Sequence, residues 1–577
     1  MSNNWIIAPP HAARDDLAVQ LRISPLAGQV LCNRGLTDLE QARAFFDPKL
    51  GDLLPPEALD GTQKAADLIA ETIRQARKIV IYGDYDVDGI TGTAILWRVL
   101  RMAQANVDYY IPHRLEEGYG LNEQAVRQIV ADGAGLIITV DCGITACGPV
   151  QAARQLGARV IVTDHHSLRD DLPPADVLIH PQVSHYACPH LSGAGIALKL
   201  AWAIAQRFSP GSRVTQEFRD FLLDATSLAA LGTIADVVPL LAENRVLARF
   251  GLLGLANSQN TGIRALLTVA HLADQRLHSD HVGYWLAPRL NAAGRLGHAG
   301  LCVEMFTTAD ARRAVEIAAY LEAQNRQRQS IEKQITAIAR QMVIDRGMDR
   351  NDYRAIVLAG EKWHPGVIGI VASRLVDEFG KPAVLVTFDP ADADRMGQGS
   401  ARSIEGFALD QALASCAGHL AGFGGHAMAA GLKVHRDSFE RFSEAFLTCA
   451  AEKLRPQDMA RTLRLDAEAG LAAVTLNLIA ELNRLAPFGQ GNPKPRFASP
   501  WLRLAGSPRI VGRGQDHLQM SVTDGRTVRK AVAFSMAKWL AAILAKGMLR
   551  LAFEPIANEW NGRTSAELRV IDIDVAK

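Results

Sequence analysis

Between residues 78 and 163, short apolar runs rich in β-branched residues alternate with stretches of helical period. KIVIYG is followed by a helix expected from about Thr91, then VDYYI, a helix from Asn122, LIITV, a helix ending near Leu156, and RVIVT. Apolar runs of this length, without polar alternation, are strands covered on both faces, and helices between them make the strands parallel. The pattern predicts an α/β fold with a buried parallel sheet. In such sheets functional groups gather beyond the carboxyl ends of the strands.

Residues 195 to about 256 read as mostly helical. A polar helix with no internal Gly or Pro, roughly Ala309 to Asp345, is expected to connect two lobes. A second α/β unit runs from Tyr353 to about Cys449, with AVLVTF as a strand and GVIGIVASRL as a helix. From about residue 458, RFASPWLRL, HLQMSVTD, RKAVAF, MLRLAFEP and AELRVIDID alternate at strand period. They predict a small β-barrel with one helix near Met536 to Ala545. The start of the chain reads as an irregular, Pro-containing lead-in with a single helical stretch, Leu36 to Phe46. The divisions that follow are 1–50, 51–308, 309–346, 347–455 and 456–577.

Composition narrows the class. The 577 residues are 48% hydrophobic and 21% charged, the balance of a multidomain globular protein. A net charge of +1 excludes a polybasic tail protein but not a local basic face. Such a face is expected at the end of the chain, where residues 496–577 carry 13 Lys and Arg against 7 Asp and Glu. No apolar run is long enough to span a bilayer, so no membrane role is expected. MSNNWIIAPPHAARDD lacks the basic start and apolar stretch of a secretory leader. Seven scattered cysteines, none in a C-x-x-C pair, argue against a disulfide framework or a thiolate zinc site and fit a reducing cytoplasm.

The chemistry concentrates after the strands. YGDYDVDGITG places Asp84, Asp86 and Asp88 just beyond KIVIY. Carboxylates at this density repel one another unless a cation sits between them. An EF-hand loop is excluded, because its twelfth position is Ile95 rather than Glu and a strand precedes it. LIITV ends in Asp141, and RVIVT ends in Asp164-His165-His166. Two adjacent histidines after a buried strand are poor packing residues and good ligands. Asp236 lies in the apolar stretch LGTIADVVPL, where a carboxylate needs a cation or donors nearby. Carboxylates with one or two His suit Mn²⁺ or Mg²⁺, and this many anionic donors can hold two ions.

DYDVDG, VDCG, TDHH and GTIADVVPL, in this order and spacing, resemble the four motifs of the DHH phosphoesterase superfamily. EEGYGLN, PRLNAAGR, WHPGVIG and GFGGHAMAAGL narrow the resemblance to its bacterial single-strand-specific 5′→3′ DNA exonucleases. The resemblance covers roughly residues 50 to 577 and implies a DHH domain, a DHHA1 domain and a C-terminal OB-fold. It implies that Asp86, Asp88, Asp141, His165 and Asp236 ligate the metals, with Asp141 as a bridge and Asp84 either a ligand or a support behind one. His166 would contact the scissile phosphate or assist the leaving group, and Asp164 would orient the histidine pair. Two ions would activate a water for in-line attack on phosphorus and offset the developing charge.

Substrate contacts follow in the same way. Gly424, Gly425 and His426 would cover the scissile phosphate from the second lobe, since glycines let backbone N–H groups approach an anion. Ser400 and Arg402 would hold a phosphate, with Arg114 a second candidate at the strand end. Arg289 and Asn291 would reach the backbone or a base. Where the family reads Gly-Ser-Gly-Arg-Ser, this chain has Ala401 at the middle Gly, a strained choice if that position needs positive φ. The basic C-terminal module, with Trp501, Phe534, Trp539 and Trp560 available for base stacking, is expected to add grip on single-stranded DNA rather than chemistry. Single-strand-binding protein and a RecQ-type helicase are the protein partners the resemblance implies.

Two other classes compete. A phosphodiesterase of the same superfamily acting on short oligonucleotides or cyclic dinucleotides would not need the basic β-rich tail. A non-catalytic replication scaffold would be expected to have broken acidic motifs, and here they are intact.

Overall fold

Alternate residues of the strand Lys78–Gly83 enter different cores. Ile79 and Ile81 join Leu136, Ile138 and Ile161 on one face, and Val80 and Tyr82 join Ile137, Val160 and Val162 on the other. This is the period of two expected of a strand buried on both sides. The computed structural model describes residues 4–576 apart from 115, 119, 212, 393 and 460. Five parallel strands form the first sheet, in the order Val107–Tyr110, Lys78–Gly83, Ala134–Val140, Arg159–Thr163, Val177–Ile179.

Register decides what the sheet presents. Gly83 pairs with Val140, and Val140 with Thr163, so the carboxylates one residue further on end three neighbouring strands at one level. The ladder extends one step past the strands. Asp84 N donates to Val140 O at 3.1 Å, Asp141 N to Thr163 O at 3.0 Å and Asp164 N to Ile179 O at 3.2 Å.

The helix after the first strand is Val87–Met102, four residues earlier than Thr91. Asp86 caps it, accepting from Asp88 N at 2.9 Å and Gly89 N at 3.2 Å. The cap outweighs the low helix propensity of Gly89.

The connector is a 35-residue helix, Ala311–Asp345, capped by Asp310. Its Ala314, Ile317, Ala318 and Leu321 are part of the first lobe's core. Its Ile335, Ala339 and Val343 belong to the second lobe's core. At about 1.5 Å per residue it is a rod roughly 50 Å long embedded at both ends. The second lobe is a five-stranded sheet in the order Gly422–Gly425, Ala429–His435, Met396–Arg402, Ala383–Phe388, Ile356–Glu361, with only the last pair parallel. The C-terminal unit is a mixed eight-stranded sheet dominated by two long strands, Leu549–Trp560 and Arg563–Val575. It carries the helix Leu540–Lys546 near the expected place and a second helix, Leu476–Arg484, that periodicity did not suggest.

The lead-in is not irregular. It forms a strand, Asn4–Ile7, and three helices, Arg14–Leu21, Pro25–Asn33 and Leu39–Phe46. The strand pairs in parallel with Thr462–Leu465, and Leu17, Val30, Leu31, Phe45 and Phe46 share one core with Leu482, Phe497 and Phe553. The two ends of the described chain therefore fold as one unit beside the first lobe. Their pairing is set by contacts more than 450 positions apart, which local period does not encode.

Among the described residues no helix is long and apolar enough to cross a membrane.

Candidate metal centre

Asp88 lies in the first turn of the Val87–Met102 helix and is fully buried. Its carboxylate accepts from Gly193 N at 2.6 Å and Ala194 N at 3.0 Å, the first turn of the helix Gly193–Arg207. Helix N-termini favour negative charge, so this fixes one donor. Asp141 follows its strand in a left-handed conformation, φ 62°, and its Oδ1 stands 3.0 Å from His165 Nε2. His165 Nε2 is also 3.5 Å from Asp236 Oδ2 and 3.8 Å from Asp88 Oδ2. Asp236 terminates the helix Gln216–Ala235 and comes from outside the sheet.

Three donor groups result, each with its ligand atoms within 4.8 Å of one another: Asp84, Asp86 and Asp141; Asp88, His165 and Asp236; and Asp141, His165 and His166. Asp141 belongs to two of them. A bridging carboxylate between two ions would occupy that position.

The residues fit a divalent cation on three counts. Asp84 Oδ1 is buried with no hydrogen-bond partner among the described residues, and His165 Nε2 is buried facing three carboxylate oxygens within 3.8 Å, an arrangement a cation relieves. The space around the carboxylates is kept by glycines. A Cβ on Gly193 would stand 2.7 Å from Asp141 Oδ1, and one on Gly232 would stand 2.4 Å from Asp88 Oδ1. The donors are carboxylate oxygens and imidazole nitrogen, the set that suits Mn²⁺ or Mg²⁺.

Electrostatics agree. In the absence of a cation, burial and then the charge of Asp86 push Asp88 up to about 7. Burial and then the charge of Asp88 push Asp236 up to about 9. Asp84 and Asp141 move the same way, by burial first and then by their acidic neighbours. Burial and the neighbouring His166 push His165 down to about 3, which leaves a neutral ring able to ligate.

His166 is built differently. Its Nδ1 is 2.7 Å from Asp164 Oδ1, and Asp164 also accepts from Ile144 N, His165 N and His166 N. Burial disfavours a charged His166 ring, but the hydrogen bond and charge of Asp164 outweigh it and lift the group to about 9. Asp164 is raised by burial and lowered more by His166 and the backbone donors, so it stays ionised. His180 Nε2 lies 2.9 Å from His166 O and holds the backbone of the pair from behind.

Beside the metal loop is a cluster of guanidinium groups. Arg114 stacks 4.8 Å from the centre of the Tyr85 ring. Arg402 Nη1 donates to Ser400 Oγ at 3.1 Å and to Ala401 O at 2.7 Å. Arg295 Nη1 donates to Gly366 O at 3.0 Å, across the boundary between the lobes. Burial, then the charges of Arg114, Arg328 and Arg402, push Arg295 down to about 10. Arg402 is lowered by burial and by Arg114. Buried cations that repel one another call for an anion of the size of phosphate. The loop bearing Arg114 is fixed by Glu117, which accepts from His113 N at 2.6 Å, Tyr110 Oη at 2.7 Å and Asn122 Nδ2 at 2.7 Å.

The remaining expected contacts divide. Arg289 is committed elsewhere: its Nε is 2.6 Å from Glu322 Oε2 of the connector, and its Nη1 donates to Trp285 O at 2.5 Å. Six positions separate Arg289 from Arg295 on the helix Ala287–Leu296, which turns them about 120° apart. Only the tertiary fold says which faces the second lobe, and Arg295 escaped the sequence reading. Asn291 is half-buried. Gly424 and Gly425 form an exposed edge strand leading into a turn where His426 N donates to Ala429 O at 2.9 Å. Ala401 is unstrained. It lies in a regular strand, paired with Ala430 and Val384, with its side chain buried in the second lobe's core. Trp501, Phe534 and Trp560 are exposed, whereas Trp539 packs against the core.

Gly193 supplies a first prediction. In Gly193→Ala the new methyl group would press on the Asp141 carboxylate, and Mn²⁺ affinity is expected to fall about 10–100-fold, the range for displaced ligand supports. A calorimetric Mn²⁺ titration checks this, and unchanged affinity would place Asp141 outside the ligand set.

Comparison with known proteins places this geometry. Residues 78–226 match the DHH family, N-terminal domain, and residues 352–452 match the DHHA1 domain, which defines the class as a two-lobed DHH-family protein. Residues 465–572 match the RecJ OB domain. The single-stranded-DNA-specific exonuclease RecJ of Bacillus subtilis is 37% identical over 576 residues, covering 99% of this chain and 71% of that protein. The RecJ of Escherichia coli is 33% identical and covers 97% of each chain. The crystal structure of Thermus thermophilus RecJ with Mn²⁺ aligns at TM-score 0.84 and 30% identity, covering 100% of this chain and 80% of that one. The chain belongs to the RecJ family.

Proposed function

We propose that this protein is a metal-dependent exonuclease that degrades single-stranded DNA from its 5′ end to mononucleotides, in DNA recombination and repair. The observation that carries the reading is the convergence of Asp84, Asp86, Asp88, Asp141, His165 and Asp236 beside the Arg114, Arg295 and Arg402 cluster. Two Mn²⁺ or Mg²⁺ ions bound by these six side chains would supply Lewis acidity and an activated water.

The chain's own groups do the rest. Arg402 and Ser400 grip a phosphate from the second lobe, Arg295 meets it from the first lobe at the boundary, and Arg114, held on Tyr85, closes the grip from the metal loop. His166 keeps its Nδ1 proton toward Asp164, so Nε2 is the atom that can donate to the phosphate or to the leaving oxygen. Gly424, Gly425 and His426 lie on the exposed strand and turn of the second lobe, suited to cover the phosphodiester. A terminal phosphate bound by the arginines sets which end enters, and polarity follows from that grip.

The test is digestion of one strand labelled separately at each end, with Mn²⁺, Mg²⁺ and chelator compared. Loss of the 5′ label as mononucleotide, dependent on metal, is expected. Turnover confined to oligomers of a few residues would favour the short-substrate phosphodiesterase instead. Arg402→Ala is expected to reduce the preference for a 5′-phosphorylated over a 5′-hydroxyl strand by about tenfold or more, since one charge-assisted phosphate contact contributes roughly 1.5–3 kcal/mol. Equal preference in native and variant protein would remove Arg402 from the grip. A cytoplasmic location, and work beside single-strand-binding protein and a RecQ-type helicase, are proposed on family membership alone.

A further inference from the structure

The segment carrying Asp236 is held by a domain far away in sequence. After Asp236 the chain leaves the helix through Val237, at φ 61°, and reaches Leu240, whose N donates to Gln490 O at 2.8 Å. Leu240 is buried against the C-terminal unit. A Cβ on Gly489 would stand 2.7 Å from Leu240 Cδ1, and one on Gly491 would stand 3.2 Å from Leu241 Cδ1.

The loop 485–492 is itself locked. Asn492, fully buried, donates from Nδ2 to Leu485 O at 2.9 Å and Pro487 O at 2.8 Å. Gly489 and Asn492 exchange backbone hydrogen bonds of 2.9 and 3.1 Å. From the catalytic lobe, Arg245 on the helix Ala242–Asn257 reaches the same loop. It is 2% exposed and donates to Leu485 O at 2.8 Å, Arg484 O at 3.3 Å and Phe45 O at 3.0 Å, with its guanidinium 3.9 Å from the centre of the Phe45 ring. Among the described residues no carboxylate pairs with it. A buried arginine satisfied by carbonyls alone is a costly way to build a core, and here its three acceptors come from the lead-in and the C-terminal unit.

We propose that the loop 485–492 positions Asp236, with Arg245 and Asn492 as positioning residues, so that the C-terminal domain is part of the scaffold of the metal centre. This rests on the metal-centre reading above. It reverses the expectation that the C-terminal module contributes grip alone. Bound metal then depends on two domains, and disturbing their joint loosens one ligand without touching any.

The test uses the full-length protein and Mn²⁺. Asn492→Ala removes two of the loop's internal bonds. Gly489→Val pushes on Leu240 without removing any of the loop's hydrogen bonds, which keeps the test open if Asn492→Ala does not fold. Mn²⁺ binding is followed by the electron paramagnetic resonance signal of the free ion, and hydrolysis is followed on a trinucleotide as well as on a long strand. The expected result is Mn²⁺ affinity about 10–100-fold weaker, with trinucleotide turnover returning toward the native rate at high Mn²⁺ and single-strand affinity in chelator unchanged. Native Mn²⁺ affinity in the folded variants, with only long-strand binding reduced, would overturn the proposal. Absence of Mn²⁺ binding by the native protein would instead overturn the metal centre on which it rests.

Discussion

Asp141→Asn is expected to lower strand hydrolysis by at least about 10³-fold, the scale of removing a main electrostatic partner of a transition state, while leaving single-strand affinity in chelator within about twofold. Asp141 is the donor shared by two of the three ligand groups, so its loss would weaken both ion positions at once. Asn is the informative replacement. It keeps the side chain's shape against Gly193, and it tolerates the left-handed backbone that Asp141 adopts at φ 62°. It also removes one negative charge from a group of buried carboxylates that raise one another's proton affinity. The metal-free variant should therefore melt higher than the metal-free native protein while being inactive. Cleavage at the native rate, measured with end-labelled strand in saturating Mn²⁺, would exclude Asp141 from the site.

The second large effect concerns pH in the absence of metal. Asp88 is raised from the ordinary carboxylate value of 3.8 to about 7, and Asp236 from 3.8 to about 9, with Asp84 and Asp141 raised in the same direction. Between these limits the four carboxylates bind more protons in the folded chain than in the unfolded one, outnumbering the single proton that buried His165 fails to take up below about 6.5, so stability falls as pH rises. The chelated protein should accordingly be most stable near the low end of the range from about pH 4 to about 9 and lose melting temperature steadily toward the high end. Mn²⁺ should reverse the trend, because it binds the deprotonated carboxylates of the folded state and stabilises that state by mass action. Melting curves at several pH values with and without Mn²⁺ measure this. A chelated protein whose melting temperature rises from pH 5 to pH 8 would mean that the carboxylates are not massed as described.

The catalytic sheet is readable because one local rule produces it. Uninterrupted β-branched runs are buried strands, and Asp84, Asp141 and Asp164-His165-His166 follow three of them. What the runs do not contain is register, and register is what brings the three ends level. Asp236 is legible for a different reason, as a carboxylate stranded in an apolar stretch. Arg295 is not, because Arg289 and Arg295 occupy one helix in one motif and differ only in the face they present. The lead-in reads as irregular because its helices are short and its strand finds a partner only at Thr462–Leu465. The brace on Asp236 is invisible for the same reason: Arg245, Gln490 and Asn492 carry no pattern until the domains are assembled. Ala401 bears no strain because its segment is a strand, where alanine is at ease.

The pairing of Asn4–Ile7 with Thr462–Leu465 has a consequence for biosynthesis. At a translation rate of roughly 5–20 residues per second, the first strand emerges roughly half a minute to a minute and a half before its partner exists. During that interval Leu17, Val30, Leu31, Phe45 and Phe46 lack the larger, carboxyl-terminal half of their shared core. The lobe that carries the metal ligands can mature first, while the amino-terminal helices stay exposed as a sticky flap until Thr462–Leu465 and the strands after it are made.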